Sequence, residues 1–154
     1  MIQRIIIGND HGGYEAKLEV VRHLQAQGIE VVDVGTASTE IVRYPDFARK
    51  VAGAVARGEF ERGILICSTG IGMSIAANKI KGIRAALCTD GTMARMTRQH
   101  NDSNVLCLGG KITGVFEWLD IVDIWLAEKF IGGRHALSLE ILAQQEQDFG
   151  LTAP

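Results

Sequence analysis

The strongest constraint on the fold is an alternation of short apolar runs with longer amphipathic segments along the 154 residues. Five short runs, each rich in Ile, Val, Leu or Ala, occur at residues 4–8, 29–34, 64–67, 84–88 and 105–108. Near-continuous apolar runs of this kind are typical of strands that are buried on both faces of a parallel sheet. The segments between them are long enough to form the crossover helices that parallel strands need. The pattern therefore predicts an α/β protein.

Helices are predicted after each of these strands. Leu18, Val21 and Leu24 recur at helical spacing, and Pro45 suits the first turn of the next helix. The order of the elements predicts a three-layer α/β/α, Rossmann-like fold in which helices cover both faces of a five-stranded parallel sheet. We expect a single domain over residues 1–154, with the strand order left open. The predicted helices cover residues 14–27, 45–57, 70–79, 92–99, 115–128 and 136–147.

Composition excludes several classes of protein. The net charge is −2 and no basic run exceeds two residues, so a nucleic-acid partner is not expected. No apolar stretch approaches the roughly 18 residues that span a bilayer, so no membrane partner is expected either. The three cysteines, Cys67, Cys88 and Cys107, form no C-x-x-C pair, which argues against a disulfide framework and against a bound metal. These features favour a protein of the reducing cytoplasm.

Glycine is the residue whose abundance is unusual, at 18 of 154 residues against only two prolines. In open parallel sheets, ligands bind outside the carboxyl ends of the strands, so glycines in the turns there let backbone N–H groups approach an anion. We assign half of the glycines to this predicted ligand edge: Gly8, Gly12, Gly13, Gly70, Gly72, Gly109, Gly110, Gly132 and Gly133.

The first strand is followed by Asn9, Asp10 and His11 and then by a pair of glycines. An acid and an imidazole stand side by side where a helix begins, and helix N-termini attract anions. Asp10 or His11 could therefore move protons at a bound substrate. The alternative is that Asn9 or Asp10 only caps the helix.

The third strand ends in the turn Cys-Ser-Thr-Gly-Ile-Gly at residues 67–72. Such a turn directs several backbone N–H groups to one point and can cradle an oxyanion or a phosphate, although it matches neither a P-loop nor a dinucleotide fingerprint. Cys67 lies near a helix N-terminus, which favours the thiolate, a potential base or nucleophile. The alternative is a buried structural cysteine, the role assigned to Cys88 and Cys107.

The remaining candidates are a histidine and two cations. Histidine is the side chain best suited to acid–base chemistry near neutral pH, so His100 is a candidate acid–base group. Asn101 and the residue after it could form only a turn before the fifth strand. Lys111 and Arg134 each follow a glycine pair, and Arg134 could clamp a phosphate. The alternative, a solvated helix cap, is the stronger one for Lys111 alone. Taken together at one edge of the sheet, these groups predict an enzyme that acts on a small anionic substrate.

Six motifs, in order along nearly the whole chain, resemble ribose-5-phosphate isomerases of type B and, more widely, the RpiB/LacA/LacB family of sugar-phosphate isomerases. The resemblance implies interconversion of ribose 5-phosphate and ribulose 5-phosphate through an enediolate, without a metal or a cofactor, in pentose phosphate metabolism. The motifs are Asn-Asp-His-Gly-Gly at 9–13, Tyr-Pro at 44–45, Cys-Ser-Thr-Gly-Ile-Gly at 67–72, Ala-Ala-Asn-Lys at 76–79, Arg-Gln-His-Asn at 98–101 and Gly-Gly-Arg-His at 132–135.

Roles follow from the resemblance, position by position. Cys67 is similar to the base that moves a proton between C1 and C2, and His100 with Asp10 to the groups that open the sugar ring. The same resemblance gives Thr69 a catalytic role in the turn that stabilises the enediolate. The expected substrate-binding residues are His11, Tyr44, Ser68, Gly70, Ile71, Gly72 and Asn101, and the expected phosphate-binding residues are Lys111, Arg134 and Arg43.

The chain also departs from the family pattern. Ser138 stands where relatives usually have a further phosphate-binding arginine, and Lys111 replaces another arginine. We interpret Arg43, at a position where relatives often have an acid or another polar residue, as a replacement for the lost charge from another direction. Some relatives use a glutamate instead of the cysteine, but that position is Met73 here, which indicates the cysteine subclass.

Alternative functions remain open from the sequence. The same chemistry could act on galactose 6-phosphate, allose 6-phosphate, a tetrose phosphate or a free sugar. A non-catalytic sugar-phosphate-binding module is a further alternative, although such a module would not need a thiol. The resemblance also implies a homodimer or a dimer of dimers with sites shared between subunits, in which helix 136–147 packs on a partner subunit.

Overall fold

The computed structural model describes residues 2–151; of the predicted domain 1–154, residue 1 and residues 152–154 lie outside this range. All neighbouring strands are parallel, in the order β2-β1-β3-β5-β4. The five-stranded parallel sheet of the predicted Rossmann-like fold is therefore confirmed. The strands are β1 (Arg4–Asn9), β2 (Glu30–Asp33), β3 (Gly63–Cys67), β4 (Ala85–Leu87) and β5 (Val105–Gly109).

Six α-helices are described, and a single 3-10 turn at His11–Gly13 precedes the first of them. Most of their boundaries differ from the sequence prediction by one or two residues. Two of these differences affect site candidates, because α4 continues through His100 to Asn101 and α6 already begins at Arg134. Candidates expected in turns are therefore helical. The helices are α1 (Tyr14–Ala26), α2 (Tyr44–Ala56), α3 (Ile71–Ala77), α4 (Gly91–Asn101), α5 (Val115–Ala127) and α6 (Arg134–Asp148).

The sheet is covered on both faces, which explains its near-continuous apolar strands. Ile64 and Ile66 face a core formed with α1, α5 and Ala94 of α4. Leu65 and Cys67 point to the other face and pack with α2 and α3. The three layers expected from the sequence are thus present, and Cys67 lies on the side of α2 and α3. Among the residues described, no helix has both the length and the apolar character needed to cross a bilayer.

The strand order places a crevice between β1 and β3. From β1 the chain first adds β2 on one side and then returns to add β3 on the other. A reversal of this kind opens a crevice at the carboxyl ends of the two central strands, where open α/β proteins bind ligands. Asp10 follows β1 directly, its N–H donates to the Ile66 carbonyl (3.2 Å), and Cys67 ends β3. The acid and the thiol therefore meet at this crevice.

The sheet has two ends with different surroundings: the carboxyl edge is where the strands end, and the amino edge is where they begin. Helix α4 starts beyond β4 at the carboxyl edge and returns to the amino edge over 11 residues, about 16 Å of helix. The Gly63 N–H donates to the Asn104 carbonyl (3.0 Å), which fixes the residues after α4 beside the start of β3. The end of α4, with His100, therefore lies at the amino edge.

Candidate active site

The thiol turn, residues 67–72, is built around the sulfur of Cys67. The Gly70 N–H donates to Cys67 Sγ (3.1 Å), and the Ile71 N–H donates to Thr69 Oγ1 (3.3 Å). Gly70 adopts φ +77°, a left-handed conformation that suits glycine and turns its N–H back toward the sulfur. The side chain of Cys67 is buried, with 5% of the residue exposed. Donors aimed at the sulfur stabilise negative charge there.

The loop after β5 clamps this turn from the other side. The Gly110 N–H donates to the Cys67 carbonyl (2.8 Å), and the Lys111 N–H donates to the Ser68 carbonyl (2.9 Å). A Cβ on Gly109 would lie 2.9 Å from the Thr69 carbonyl, so glycine permits this close approach. The backbone of Lys111 is thereby fixed beside the thiol turn.

Asp10 and His11 reach the same edge from β1. Asp10 Oδ1 accepts the Gly12 N–H (2.9 Å), so the capping interaction considered for this residue is present, and it uses one carboxylate oxygen. His11 Nδ1 accepts the Val42 N–H (3.3 Å), which leaves Nε2 to carry the proton of the neutral ring. A side chain on Gly12 would overlap the Ser68 side chain, so this turn lies directly against the thiol turn.

The start of α2 closes the carboxyl edge on the side of the thiol turn. Tyr44 is the first residue of α2, and a Cβ on Gly72 would lie 3.1 Å from its ring. Arg43 precedes it in an extended conformation and is exposed. Because Val42 contacts His11 and Tyr44 contacts the thiol turn, Arg43 stands between two groups of this edge.

The other two cysteines differ from Cys67 in their surroundings. Burial, and then the charge of Asp90, raise the pKa of Cys88 to about 12. Complete burial raises the pKa of Cys107 well above its ordinary value. Both thiols are buried in the core clusters and stay protonated near neutral pH, as a structural role requires. Within residues 2–151, no group of three or more His, Cys, Asp or Glu side chains could hold a metal ion.

The amino edge carries the remaining candidates. The imidazole rings of His100 and His135 are stacked, with centroids 4.1 Å apart and planes 6° from parallel. Partial burial, then the neighbouring His100 and Arg134, lower the pKa of His135. The Ile131 N–H donates to the Gln99 carbonyl (3.1 Å), which fastens the turn before α6 to the end of α4.

Arg134 is the first residue of α6, and the preceding Gly132 and Gly133 have φ of +66° and +60°. These left-handed conformations account for the glycine pair. A helix N-terminus disfavours a cation but attracts an anion, so the guanidinium and the helix end favour the same kind of ligand. Asn101 is the last residue of α4, where its carbonyl accepts from Arg84 Nε (2.9 Å).

The expectation that all candidates share one edge of the sheet is wrong. His100, Asn101 and Arg134, with Gly132 and Gly133, lie at the amino edge, because α4 and α5 both run back across the sheet before these residues occur. Arg43, Tyr44, the first-strand turn and the β5–α5 loop do gather around the thiol turn at the carboxyl edge. The candidate residues of one copy of the chain therefore form two separate groups.

Sequence reasoning missed two residues beside these candidates. His135 belongs to the Gly-Gly-Arg-His motif, which indicates no role for it, and its stacking on His100 depends on how α6 docks against α4. The sequence predicts Asp102 only as a turn residue, whereas both its carbonyl and its carboxylate accept hydrogen bonds from arginines. Its position between a helix and a buried strand was the available signal.

A cleft of about 860 Å³ lies at the amino ends of β1 and β2 and contains none of the predicted site residues. The side chains of Arg62 and Asp123 line it, but each already has a partner. Arg62 donates to the carbonyls of Trp125 and Leu126, and Asp123 accepts from His23 or Gln27.

Comparison with known proteins gives a consistent result. Residues 5–142 match the family model described as Ribose/Galactose Isomerase. The chain is 48% identical over 146 residues to ribose-5-phosphate isomerase B of Escherichia coli K12, an alignment that covers 95% of this chain and 98% of that protein.

Solved structures give the same picture. A ribose-5-phosphate isomerase B from Clostridium thermocellum superposes with a TM-score of 0.93 at 53% identity, covering 95% of this chain and 99% of that one. A ribose-5-phosphate isomerase B from Mycoplasma genitalium, solved with bound ribulose-5-phosphate, superposes with a TM-score of 0.90 at 39% identity, covering 94% and 97%.

Proposed function

We propose a substrate and a mechanism from one premise: the chain belongs to the Ribose/Galactose Isomerase family and is a sugar phosphate isomerase, an enzyme that interconverts an aldose and a ketose. The proposed reaction is the interconversion of ribose 5-phosphate and ribulose 5-phosphate. The observation that carries it is the position of Cys67 at the crevice between β1 and β3, with the Gly70 N–H directed at its sulfur.

Proton transfer between C1 and C2 is assigned to the thiol turn. The Cys67 thiolate removes the C2 proton of the open-chain aldose, and the electron pair moves onto O1 to form an enediolate. The hydroxyl of Thr69 and the backbone N–H groups of residues 68–72 stabilise that charge. Return of the proton to C1, with transfer of the O2 proton to O1, gives the ketose. No redox cofactor is needed for this balance.

Ring opening requires a second pair of groups, because ribose 5-phosphate is mainly a cyclic hemiacetal. We assign it to His100 with Asp10, which lie at opposite edges of one chain. We therefore propose that two copies associate so that the amino edge of one faces the carboxyl edge of the other. The exposed apolar side chains of α3 and α6, among them Ile71, Ile75 and Ile141, favour such an association, and α6 has no fully buried residue.

The phosphate clamp would then combine cations of both edges. Arg134, at the N-terminus of α6, would come from the same copy as His100, and Lys111 and Arg43 from the copy that supplies Cys67. Ser138 follows Arg134 by one helical turn, so the arginine that relatives have there would reach in from the His100 side. Arg43 supplies a positive charge from the opposite side, which favours a shift of the bound anion.

The experiment that tests this function is a panel of metal-free isomerisation assays with ribose 5-phosphate, ribulose 5-phosphate, galactose 6-phosphate, allose 6-phosphate, erythrose 4-phosphate and the matching free sugars. We expect the highest kcat/KM with ribose 5-phosphate. A higher kcat/KM with a hexose or tetrose phosphate would instead support the second candidate substrate class. That class is favoured by Ser138 in place of the usual arginine and by Arg43 in place of an acid or another polar residue. Binding of ribose 5-phosphate without turnover of any sugar would indicate a non-catalytic module.

A further inference from the structure

Asp102, the residue directly after α4, has an unusual backbone conformation. Its φ of 46° and ψ of 45° are left-handed, and no other non-glycine residue between 2 and 151 has a positive φ. Asparagine, aspartate and glycine tolerate this region best, and strained residues persist only where their surroundings hold them in place. The conformation lets the N–H groups of Asp102 and Ser103 both donate to the Thr97 carbonyl, which closes the last turn of the helix.

Two arginines hold Asp102 from opposite sides. Arg84, just before β4, donates from Nη2 to the Asp102 carbonyl (2.8 Å) and to Oδ2 (3.2 Å), and from Nε to the carbonyls of Asn101 (2.9 Å) and Asp102 (3.1 Å). Arg98, one turn earlier in α4, donates from Nη1 to Asp102 Oδ1 (2.8 Å). Each carboxylate oxygen therefore has its own guanidinium.

The Arg98 side of this arrangement is buried. The side chain of Arg98 is 7% exposed and also donates to the Ser103 carbonyl (2.6 Å). Ser103 is anchored in turn, because its hydroxyl accepts from Trp125 Nε1 (2.8 Å) in the core. A buried guanidinium needs a counterion, and Asp102 is the carboxylate within salt-bridge distance of it. The carboxylate is thus tied rigidly to the core through Arg98.

The two residues before Asp102 are the ones to which ring opening and substrate binding are assigned. His100 and Asn101 form the last turn of α4, and Arg84 binds the Asn101 carbonyl directly. If the last turn of α4 frayed, the imidazole of His100 would move too far to keep a hydrogen bond to the substrate. The carboxylate at 102 prevents fraying by joining that turn to β4 through Arg84 and to the core through Arg98.

We propose that Asp102, held between Arg84 and Arg98, is a positioning residue that sets His100 and Asn101 for ring opening. This inference rests on the proposed function, because it takes the ring-opening role of His100 from it. It assigns Asp102 no contact with the substrate. Its consequence is selective: loss of the carboxylate disturbs the ring-opening step and leaves proton transfer at the thiol turn intact.

The two steps can be measured separately. Ribulose 5-phosphate is an open-chain ketose, because its O5 carries the phosphate and cannot close a furanose ring. Exchange of its C1 hydrogen with D₂O therefore reports proton transfer by Cys67 alone, whereas conversion of ribose 5-phosphate also requires ring opening. Both are followed by NMR at saturating substrate, so that a weaker affinity does not hide the comparison.

The test compares Asp102→Asn and Asp102→Gly, which both tolerate the left-handed backbone, with Arg84→Gln and the control Arg95→Gln. Arg95 lies on the same helix, but its guanidinium pairs with Glu128 on the surface. We expect ribose 5-phosphate turnover to fall about 10- to 100-fold in the Asp102 variants, with C1 exchange near the wild-type rate. Arg84→Gln should show a smaller loss with the same selectivity, and it keeps the test decisive if the Asp102 variants do not fold. Arg95→Gln should change neither rate.

Equal losses of turnover and exchange in folded variants, or wild-type turnover in Asp102→Gly, would overturn the proposal. His100→Asn, measured alongside, separates the two levels of inference. If His100→Asn shows the selective loss and Asp102→Asn does not, the positioning role fails and the proposed function stands. If His100→Asn shows no selective loss, the ring-opening assignment fails and the role of Asp102 fails with it.

Discussion

The two edges of the sheet are built by different physical means. At the carboxyl edge, close backbone packing fixes the groups: glycines let the first-strand turn and the β5–α5 loop lie directly against the thiol turn. At the amino edge, charged side chains fix the groups: Arg84 and Arg98 hold Asp102, and the His100 and His135 rings stack. The carboxyl edge is therefore held mainly by its backbone, and the amino edge mainly by contacts between side chains.

The largest effect should come from the carboxyl edge. We expect Cys67→Ala to lower isomerisation about 1,000-fold or more, because removal of a general base costs about two to four orders of magnitude. Binding of ribose 5-phosphate, measured by calorimetry, should change little, since the phosphate contacts remain. Cys88→Ala, at a buried thiol of the other kind, is the matched control and should retain turnover. Turnover that survived in Cys67→Ala would remove the thiol from its role.

The second prediction joins the two edges. Cys67→Ala and His100→Asn subunits should each be nearly inactive, but a mixed dimer contains one site with both defects and one site with neither. Random exchange of subunits should therefore restore roughly a quarter of the wild-type activity, as expected for a symmetric dimer with shared sites. Mixed dimers identified by mass spectrometry and still inactive would contradict the shared-site arrangement.

The contrast between the edges also explains what the sequence could predict. The residues of the carboxyl edge follow their strands immediately, so the positions of Asp10 and Cys67 follow from the rule that parallel strands end at one edge. His100 and Arg134 are separated from strand ends by whole helices, and each helix carries the chain back across the sheet. The prediction that His100 and Arg134 lie at the same edge as the thiol turn fails for this reason. It takes account of which strand each residue follows or precedes, but not of the distance that the intervening helix covers.

Other features depend on tertiary packing and have no local signal. Arg84, which binds Asp102, is 18 residues away from it in sequence, and the stacking of His135 requires the docking of α6. The strand order, left open by the sequence, likewise depends on packing between helices on the two faces. The predicted pairing of subunits through helix 136–147 stays a prediction that the mixed-dimer experiment addresses.

A smaller effect is expected at the proposed phosphate clamp. Arg43→Ala should raise the KM for ribose 5-phosphate about 10-fold, since a charge-assisted hydrogen bond contributes about 1.5–3 kcal/mol. It should leave kcat nearly unchanged, because the phosphate binds equally in ground and transition states. Arg57→Ala, at the far end of α2 and paired with Glu59, is the control. An unchanged kcat/KM for every pentose and hexose phosphate would exclude Arg43 from the clamp.

The smallest effect concerns the pH dependence of stability at the amino edge. Partial burial, His100 and Arg134 hold the pKa of His135 below its ordinary value of 6.5 in the folded chain. As the pH falls, His135 therefore takes up a proton at a higher pH in the unfolded chain than in the folded chain. The contribution of neutral His135 to the free energy of unfolding is complete above about pH 6.5. It is lost as the pH falls through the lowered pKa of the folded chain. His135→Gln cannot titrate, so its Tm should fall less than the wild-type Tm between about pH 7.5 and pH 5. Parallel Tm curves for the two proteins would show that the stacked pair contributes no pH dependence to stability.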